Sequence, residues 1–368
     1  MNINIDSFLV GRDAFYNKKD YSLEYELHCD ELSKDVVVID TKIDNSSSTI
    51  NKILKIVFFP IGLYKLFHSI IGMFIFPSYF RDNIKDEWNL LSYMFGEPQT
   101  FLKYFKKLDL KLKRITLDTG GSKIDAAILG SKKSFEDNNK PWIIVSNGNG
   151  MRFYDYFYKN SPILEMVKKL NAKALFFDYP SVGLSTGYPN RKTMIETYRK
   201  ILQLLDDKIN AQKIIGYGFS IGGGVQGEAI EDYPFKTDKK YLFIKDRTFS
   251  DLSSAAWGLK IPFLLKPIFS AFIKLSGWNI SSKKSSLKLK HPEIILQKVK
   301  RPNFQDIQTT LPFDHDGVIS KDASLGQFLL DNRSLNHSKK RILGIMNGHC
   351  SPLGNSPKLT KIVSEALA

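Results

Sequence analysis

A single serine sits among five glycines in the stretch KIIGYGFSIGGG, Lys213 to Gly224. Its centre, Gly218-Phe219-Ser220-Ile221-Gly222, reads G-x-S-x-G. It follows a short apolar run and opens the helix-like segment GGGVQGEAI. Glycine loses more backbone freedom on folding than any other residue. Such density points to a backbone geometry, or a close approach, that a side chain would block. A serine on a sharp strand-to-helix turn, with glycines where strand and helix crowd together, is a nucleophile elbow. The Ser220 hydroxyl would project from the strand end, and the Ile221 N–H would point to the same place, suited to a developing oxyanion. The plain alternative is a glycine-rich loop with an incidental serine, because a bare G-x-S-x-G arises often by chance.

A serine hydroxyl is a weak nucleophile at neutral pH. It needs a neighbouring base, itself oriented by a carboxylate. Four of the six histidines, His291, His315, His337 and His349, follow Ser220. RILGIMNGHCSPL sets His349 in a glycine-containing loop just after an apolar strand. His291 opens a strand-like run beside Pro292, His315 is wedged between two aspartates, and His337 sits in a polar loop. For the acid, LPFDHDGVIS offers Asp314 and Asp316, while Asp246 and Asp251 follow the strand after the elbow.

The elements that must hold these residues show a β/α rhythm from about residue 86. KRITLDTGGSKIDAAIL reads as two strands joined by a Gly-Gly turn. PWIIVSNGNG is an apolar strand entering a glycine-rich loop, and DYFYKNSPILEMVKKL a helix. AKALFFDYPSVGLSTG is a strand and loop, RKTMIETYRKILQLLDDKI an amphipathic helix, and KIIGYGFS and YLFIKDRTFSDL the next strands. Strands alternating with helices imply an α/β protein with a mostly parallel central sheet and helices on both faces. The rhythm lapses between Asp251 and Gln297, where WGLKIPFLLKPIFSAFIKLSGW fits either an apolar cap over an acyl-sized site or a core helix pair. The basic run SSKKSSLKLKH that follows fits a contact with anionic headgroups or, more commonly, a solvated loop.

Residues 1–85 form an N-terminal extension ahead of a domain at 86–368. Its most apolar part is KIVFFPIGLYKLFHSIIGMFIFPSYF, residues 55–80. Pro60, Lys65, His68 and Pro77 argue against a plain membrane span. As a helix, it would align Lys65, His68, Ser69 and Gly72 in a narrow polar stripe. That pattern suits a helix lying in a membrane interface, and equally one buried in the protein's own core.

Several separated segments together resemble the α/β-hydrolase superfamily. SNGNGM (146–151) is similar to the turn after its third strand, FDYPSVGLSTGYP (177–189) to the glycine-rich segment after its fourth, and IKDRTFSDL to the strand after the nucleophile helix. Within the superfamily the chain resembles ABHD-type acyl-protein thioesterases. Its apolar preamble and DRTFS are similar to the chlamydial CHLPS proteins and to SidB-like lipase effectors of Legionella. The resemblance implies catalysis by Ser220, Asp316 and His349. Asp316 is favoured because the superfamily's acid often precedes a short apolar pair, as in D-x-V-I, and Gly317-Val318-Ile319 follows it. It also implies a second oxyanion donor in the backbone N–H of Asn149. Asn147 stands where relatives usually carry histidine, a departure that bears on the fine geometry of the hole and not on the reaction class.

The chain has 368 residues, with 53 Lys and Arg against 38 Asp and Glu, a formal charge of +15. That excess favours an acidic partner such as an anionic membrane surface, although Lys-, Asn- and Ile-rich composition alone would produce it. Cys29 and Cys350 form no CxxC pair, so neither a disulfide framework, a metal site nor a cofactor is implied. The first residues lack the basic start and apolar run of a secretory signal. A membrane-associated serine hydrolase of lipid or acyl-protein (thio)esters is the first reading. Its resemblance to effectors implies delivery into a host cell, with the bacterial cytoplasm as the alternative location. A peptidase or amidase on the same fold is the second reading. A non-enzymatic basic binder is the third; the dispersed basic residues and the lack of a nucleic-acid motif argue against specific nucleic-acid binding.

Overall fold

The computed structural model describes residues 108–368, apart from 120, 138, 158–160, 184, 188, 259–261, 301–304, 307–312, 333–338 and 354–356. The extension at 1–85, with its apolar segment 55–80, lies outside the described residues, as do His337 and the start of the expected domain at 86–107.

Among the described residues nine strands build one sheet: β1 (Leu110–Asp118), β2 (Lys123–Ser131), β3 (Trp142–Ser146), β4 (Lys173–Phe177), β5 (Lys213–Phe219), β6 (Lys240–Asp246), β7 (Glu293–Lys298), β8 (Gln305–Asp306) and β9 (Lys340–Ile345). Their order is β1-β2-β4-β3-β5-β6-β7-β9-β8. β1, β2 and β8 pair antiparallel at the two ends, and the six strands between them run parallel. Every residue of β3 and β4 is buried, which is why both read as continuous apolar runs: a parallel strand is covered on both faces. At the edge, β1 instead alternates between buried and half-buried positions.

Among the described residues nine α-helices cover the sheet: α1 (Lys132–Glu136), α2 (Pro162–Lys169), α3 (Arg191–Gln203), α4 (Ile221–Ile230), α5 (Leu252–Ala255), α6 (Lys266–Leu275), α7 (Lys283–Lys288), α8 (Leu325–Asp331) and α9 (Pro357–Leu367). Two apolar layers result, one on each side. Phe177, Met194, Ile201, Val225 and Trp278 belong to the first, and Phe176, Val167, Ile215, Ile345 and Leu359 to the second. Among the described residues no helix is long and apolar enough to cross a membrane.

Three expected elements differ in extent. The single helix expected over DYFYKNSPILEMVKKL is broken. A 3₁₀ turn at Phe153–Tyr156 precedes α2, which starts at Pro162 because a proline is tolerated only in the first turn of a helix. The strand expected through DRTFS ends at Asp246, where Arg247 takes a φ of 45°. The stretch 251–297 is not wholly a cap: it carries α5, α6 and α7, but Glu293–Gln297 belongs to β7, whose apolar Ile294, Ile295 and Leu296 are buried in the sheet.

The strand order creates the place for a site. From β3 the chain moves to one side, to β4, and then crosses back to β5 on the other side of β3. Loops leaving the carboxyl ends of β3 and β5 therefore diverge and open a crevice between them, the switch point at which open α/β sheets bind ligands.

Candidate active site

Ser220 occupies the one residue between β5 and α4, with φ 53° and ψ −119°. Left-handed φ is unfavourable for a residue bearing a β-carbon, and neighbours hold it in place. Its N–H donates to the Asp246 carbonyl at 2.9 Å, and the Thr248 hydroxyl donates to the Ser220 carbonyl at 2.6 Å. The flanking glycines are required by close approach. A β-carbon on Gly218 would lie 2.7 Å from Gly223 Cα, and one on Gly222 would run into the Ser146 carbonyl at the end of β3. The tight turn brings the start of α4 against the turn after β3. As the first residue of α4, Ile221 carries one of the amides that a helix leaves without an intrahelical acceptor.

His349 lies in the loop after β9, buried beside the elbow. Its Nε2 is 2.9 Å from Ser220 Oγ and its Nδ1 2.8 Å from Asp316 Oδ2. A carboxylate can only accept, so Nδ1–H donates to Asp316 and Nε2 is left to accept from the serine hydroxyl. Asp316 Oδ1 accepts from the amides of Val318 at 2.9 Å and Ile319 at 2.7 Å, and its carbonyl accepts from the His349 amide at 2.6 Å. Gly317 makes this turn with φ 107°. Burial by itself would raise the Asp316 carboxyl. The His349 ring and the two amides outweigh it, holding the group below the usual carboxylate range and so ionised.

The other candidates lie elsewhere. Asp314 pairs with Lys298 at 3.5 Å on the outer side of the same loop. Asp251 caps α5 through the Ser254 amide and pairs with Lys283. Asp246 accepts from Tyr217 Oη at 2.5 Å and from Arg247. His291 is wedged between Phe235 and Tyr241, and His315 accepts at Nδ1 from the Gly317 amide.

The turn after β3 carries Asn149, exposed, with Gly150 beyond it at φ 75°. Asn147 ties this turn to the end of β4, its Nδ2 donating to the Phe177 carbonyl at 2.8 Å and to Asp178 Oδ1 at 3.0 Å. The same oxygen accepts from the Phe153 amide at 2.7 Å. Burial, reinforced by nearby Asp125, pushes the Asp178 carboxyl well up. Asn147 therefore stitches two loops together without adding another charge to this buried corner.

Arg247 has a role that the sequence reading did not assign. Its Nε and Nη2 grip Asp246, and its Nη1 donates to the carbonyls of Gly348 and Ser351 at 2.6 Å and of His349 at 3.2 Å. Its guanidinium also stacks over the Phe219 ring at 4.8 Å. One side chain thus fastens the histidine loop to the elbow. Its signal was the DR pair closing β6, a strand end beside Ser220.

Sheet order, elbow and crevice together define an α/β-hydrolase fold. The family model of the Chlamydia CHLPS protein (DUF818) matches residues 33–367, and the chain belongs to that family. Among solved structures it is similar to an alpha-beta hydrolase from Vibrio vulnificus, at 14% identity and a TM-score of 0.51, covering 75% of this chain and 90% of that one. An esterase from Pyrococcus furiosus is similar at 17% identity and a TM-score of 0.51, covering 71% of this chain and 91% of its own. No curated protein matches the chain.

Proposed function

We propose that this chain is a serine ester hydrolase. Ser220 is its nucleophile, His349 its base, Asp316 the carboxylate that orients the base, and the Ile221 and Asn149 amides its oxyanion donors. The observation that carries this reading is the unbroken hydrogen-bonded line Asp316–His349–Ser220, with the serine in a left-handed turn at the switch point of the sheet.

In this mechanism His349 Nε2 takes the hydroxyl proton as Ser220 Oγ attacks the acyl carbon. Asp316 stabilises the imidazolium that forms and keeps Nδ1 protonated. The carbonyl oxygen becomes an oxyanion received by backbone amides. His349 then returns the proton to the leaving alcohol or thiol, and water releases the acyl group from Ser220 by the same steps in reverse. The substrate class is an acyl ester or thioester, of a lipid or an acylated protein, presented at a membrane. The charge of +15 supports the membrane location. Delivery into a host cell as an effector belongs to the same proposal and rests on the resemblance of the motif segments.

Labelling with a fluorophosphonate, followed by mass spectrometry of the modified peptide, tests it. The label is expected on Ser220. Ser220→Ala is expected to lose labelling and at least about 10⁴-fold in turnover of a short-chain ester. A folded Ser220→Ala protein that still labels fully would overturn the assignment.

A further inference from the structure

Helix α6 is apolar on both of its faces. Ser270 and Ile273 are buried, and Phe269 and Phe272 pack against the core, so the inward face is occupied. On the outward face Ile268, Ala271 and Leu275 are exposed, and exposed Leu264, in the 3₁₀ turn Phe263–Leu265 before the helix, precedes them at the same spacing. Leu264 is 80% exposed, Ile268 65% and Leu275 89%, with Phe263 at 73% in the 3₁₀ turn leading into the helix. A surface helix ordinarily turns polar residues outward. A contiguous exposed stripe of large aliphatic side chains marks an interaction surface.

The charge around the stripe identifies the partner. Between Leu252 and Pro292 the sequence has seven lysines and no aspartate or glutamate. Lys274 is exposed on α6 itself, and Lys266 at its start lies beside Trp257, its Nζ donating to the Trp257 carbonyl at 2.7 Å, whereas Lys284 and Lys288 of α7 face Glu231. A second copy docked on this face would set lysines against lysines, which is repulsive. The chain's own segment 55–80 has two lysines and no acidic residue, so it offers these cations no counter-charge. An anionic lipid surface accepts both features at once, aliphatic side chains into the acyl boundary and ammonium groups among the headgroups.

The stripe also lies beside the candidate active site. The 3₁₀ turn Ala256–Gly258 holds exposed Trp257, which stacks edge-on with Phe263, the rings 6.3 Å apart. Gly258 in this turn touches the Asp316 loop. Its carbonyl is 3.3 Å from His315 Nε2, and a β-carbon on it would meet the Val318 carbonyl. We infer that the outer face of α6, with Phe263 and Trp257, is a docking surface for anionic lipid membranes that sets the mouth of the Ser220 site against the bilayer. This rests on the serine hydrolase reading above and deepens it, giving the acyl substrate a membrane source.

The test uses the full chain and two vesicle types, pure phosphatidylcholine and phosphatidylcholine mixed with phosphatidylserine. The wild type is expected to co-sediment with the mixed vesicles more than with the neutral ones, and less at high salt. The triple variant Leu264→Ser, Ile268→Ser, Leu275→Ser is expected to bind the mixed vesicles on the order of a hundredfold more weakly, since three aliphatic side chains no longer enter the lipid. Its melting temperature and its turnover of a soluble short-chain ester should match the wild type. Brominated lipid should quench Trp257, one of four tryptophans, and Trp257→Phe should remove that quenching. This second readout decides the matter if the triple variant is unstable. The proposal is overturned if the wild type ignores mixed vesicles, if the triple variant binds them normally, or if bromolipid leaves Trp257 unquenched. A wild-type dimer that the triple variant dissolves, without loss of vesicle binding, would assign the face to a second copy instead. Loss of soluble-ester turnover and labelling in the wild type would sink the hydrolase reading alone, leaving the vesicle result to stand or fall by itself.

Discussion

Two aspartates two residues apart have been sorted by their neighbours. Asp316 faces His349 and collects two backbone amides on its other oxygen, while Asp314 faces Lys298 at the rim. If Asp316 orients the base, Asp316→Asn presents an amide that can favour the wrong imidazole tautomer while leaving the shape intact. Turnover of a short-chain ester is expected to fall by about 10²–10⁴-fold. Asp314→Asn removes only a half-exposed ion pair and should leave turnover within about twofold, because such pairs contribute little. Near-normal rates in Asp316→Asn would remove it from the mechanism. In sequence these two were ranked by the resemblance of Gly317-Val318-Ile319 to the superfamily's pattern after its acid, and in the fold those same residues provide the turn and the two amides. It could not show the clamp made by Arg247, because the carbonyls it binds lie about a hundred residues away and belong to the backbone, which has no residue-type signature.

At the scale of elements, the elbow works because α4 is thin. All ten of its residues are buried, four of them glycine, and it lies where β3, Thr248 and the Phe249–Ile280 layer leave room for little else. Gly222→Ala would push a methyl group into the Ser146 carbonyl, which is backbone and cannot rotate away. The turn after β3 and the start of α4, proposed as the two sides of the oxyanion site, would be forced apart. A destabilisation of about 1–3 kcal/mol is expected from overpacking, with a loss of about a hundredfold in ester turnover from misplacement of the reacting groups. Gly121→Ala is the control, since a β-carbon there meets nothing within 4 Å. If both variants behave alike in melting and kinetics, close approach is not why Gly222 is glycine. The parallel strands were legible as apolar runs because both faces are covered. The break before α2 and the true end of the cap stretch were not, because 3₁₀ turns and short strands leave no periodic trace. The cap stretch looked ambiguous in sequence for a physical reason: α6 is apolar toward the core and toward the outside alike.

Across the whole molecule, the half of the sheet that carries Asp316 and His349 is tied together by one buried charge cluster. Glu293 on β7 pairs with Lys245 on β6 at 2.7 Å and with Lys340 on β9 at 2.9 Å, and Ser286 of α7 donates to it at 2.8 Å. Burial would raise this carboxyl, but the two facing ammonium groups outweigh it and hold it down at about 2. Burial outweighs the pull of Glu293 at Lys245, whose ammonium is held below the usual lysine range. A carboxyl depressed in the folded state contributes stability that is fully present above its unfolded value, about 4.3, and is lost as pH falls toward its folded value. Asp316 acts with the same sign. Urea midpoints measured from pH 6 downward should therefore decline most steeply between about pH 4.5 and 2. Glu293→Gln leaves two buried ammonium groups without their carboxylate and should cost about 3–5 kcal/mol at neutral pH. The cost should ease at alkaline pH, because Lys245 can shed its proton there. The variant should also lose part of the acid-side slope, since the group that titrated is gone. An unchanged slope in a folded Glu293→Gln protein would mean that acid lability arises elsewhere and that this cluster does not govern the cohesion of the β6–β7–β9 half.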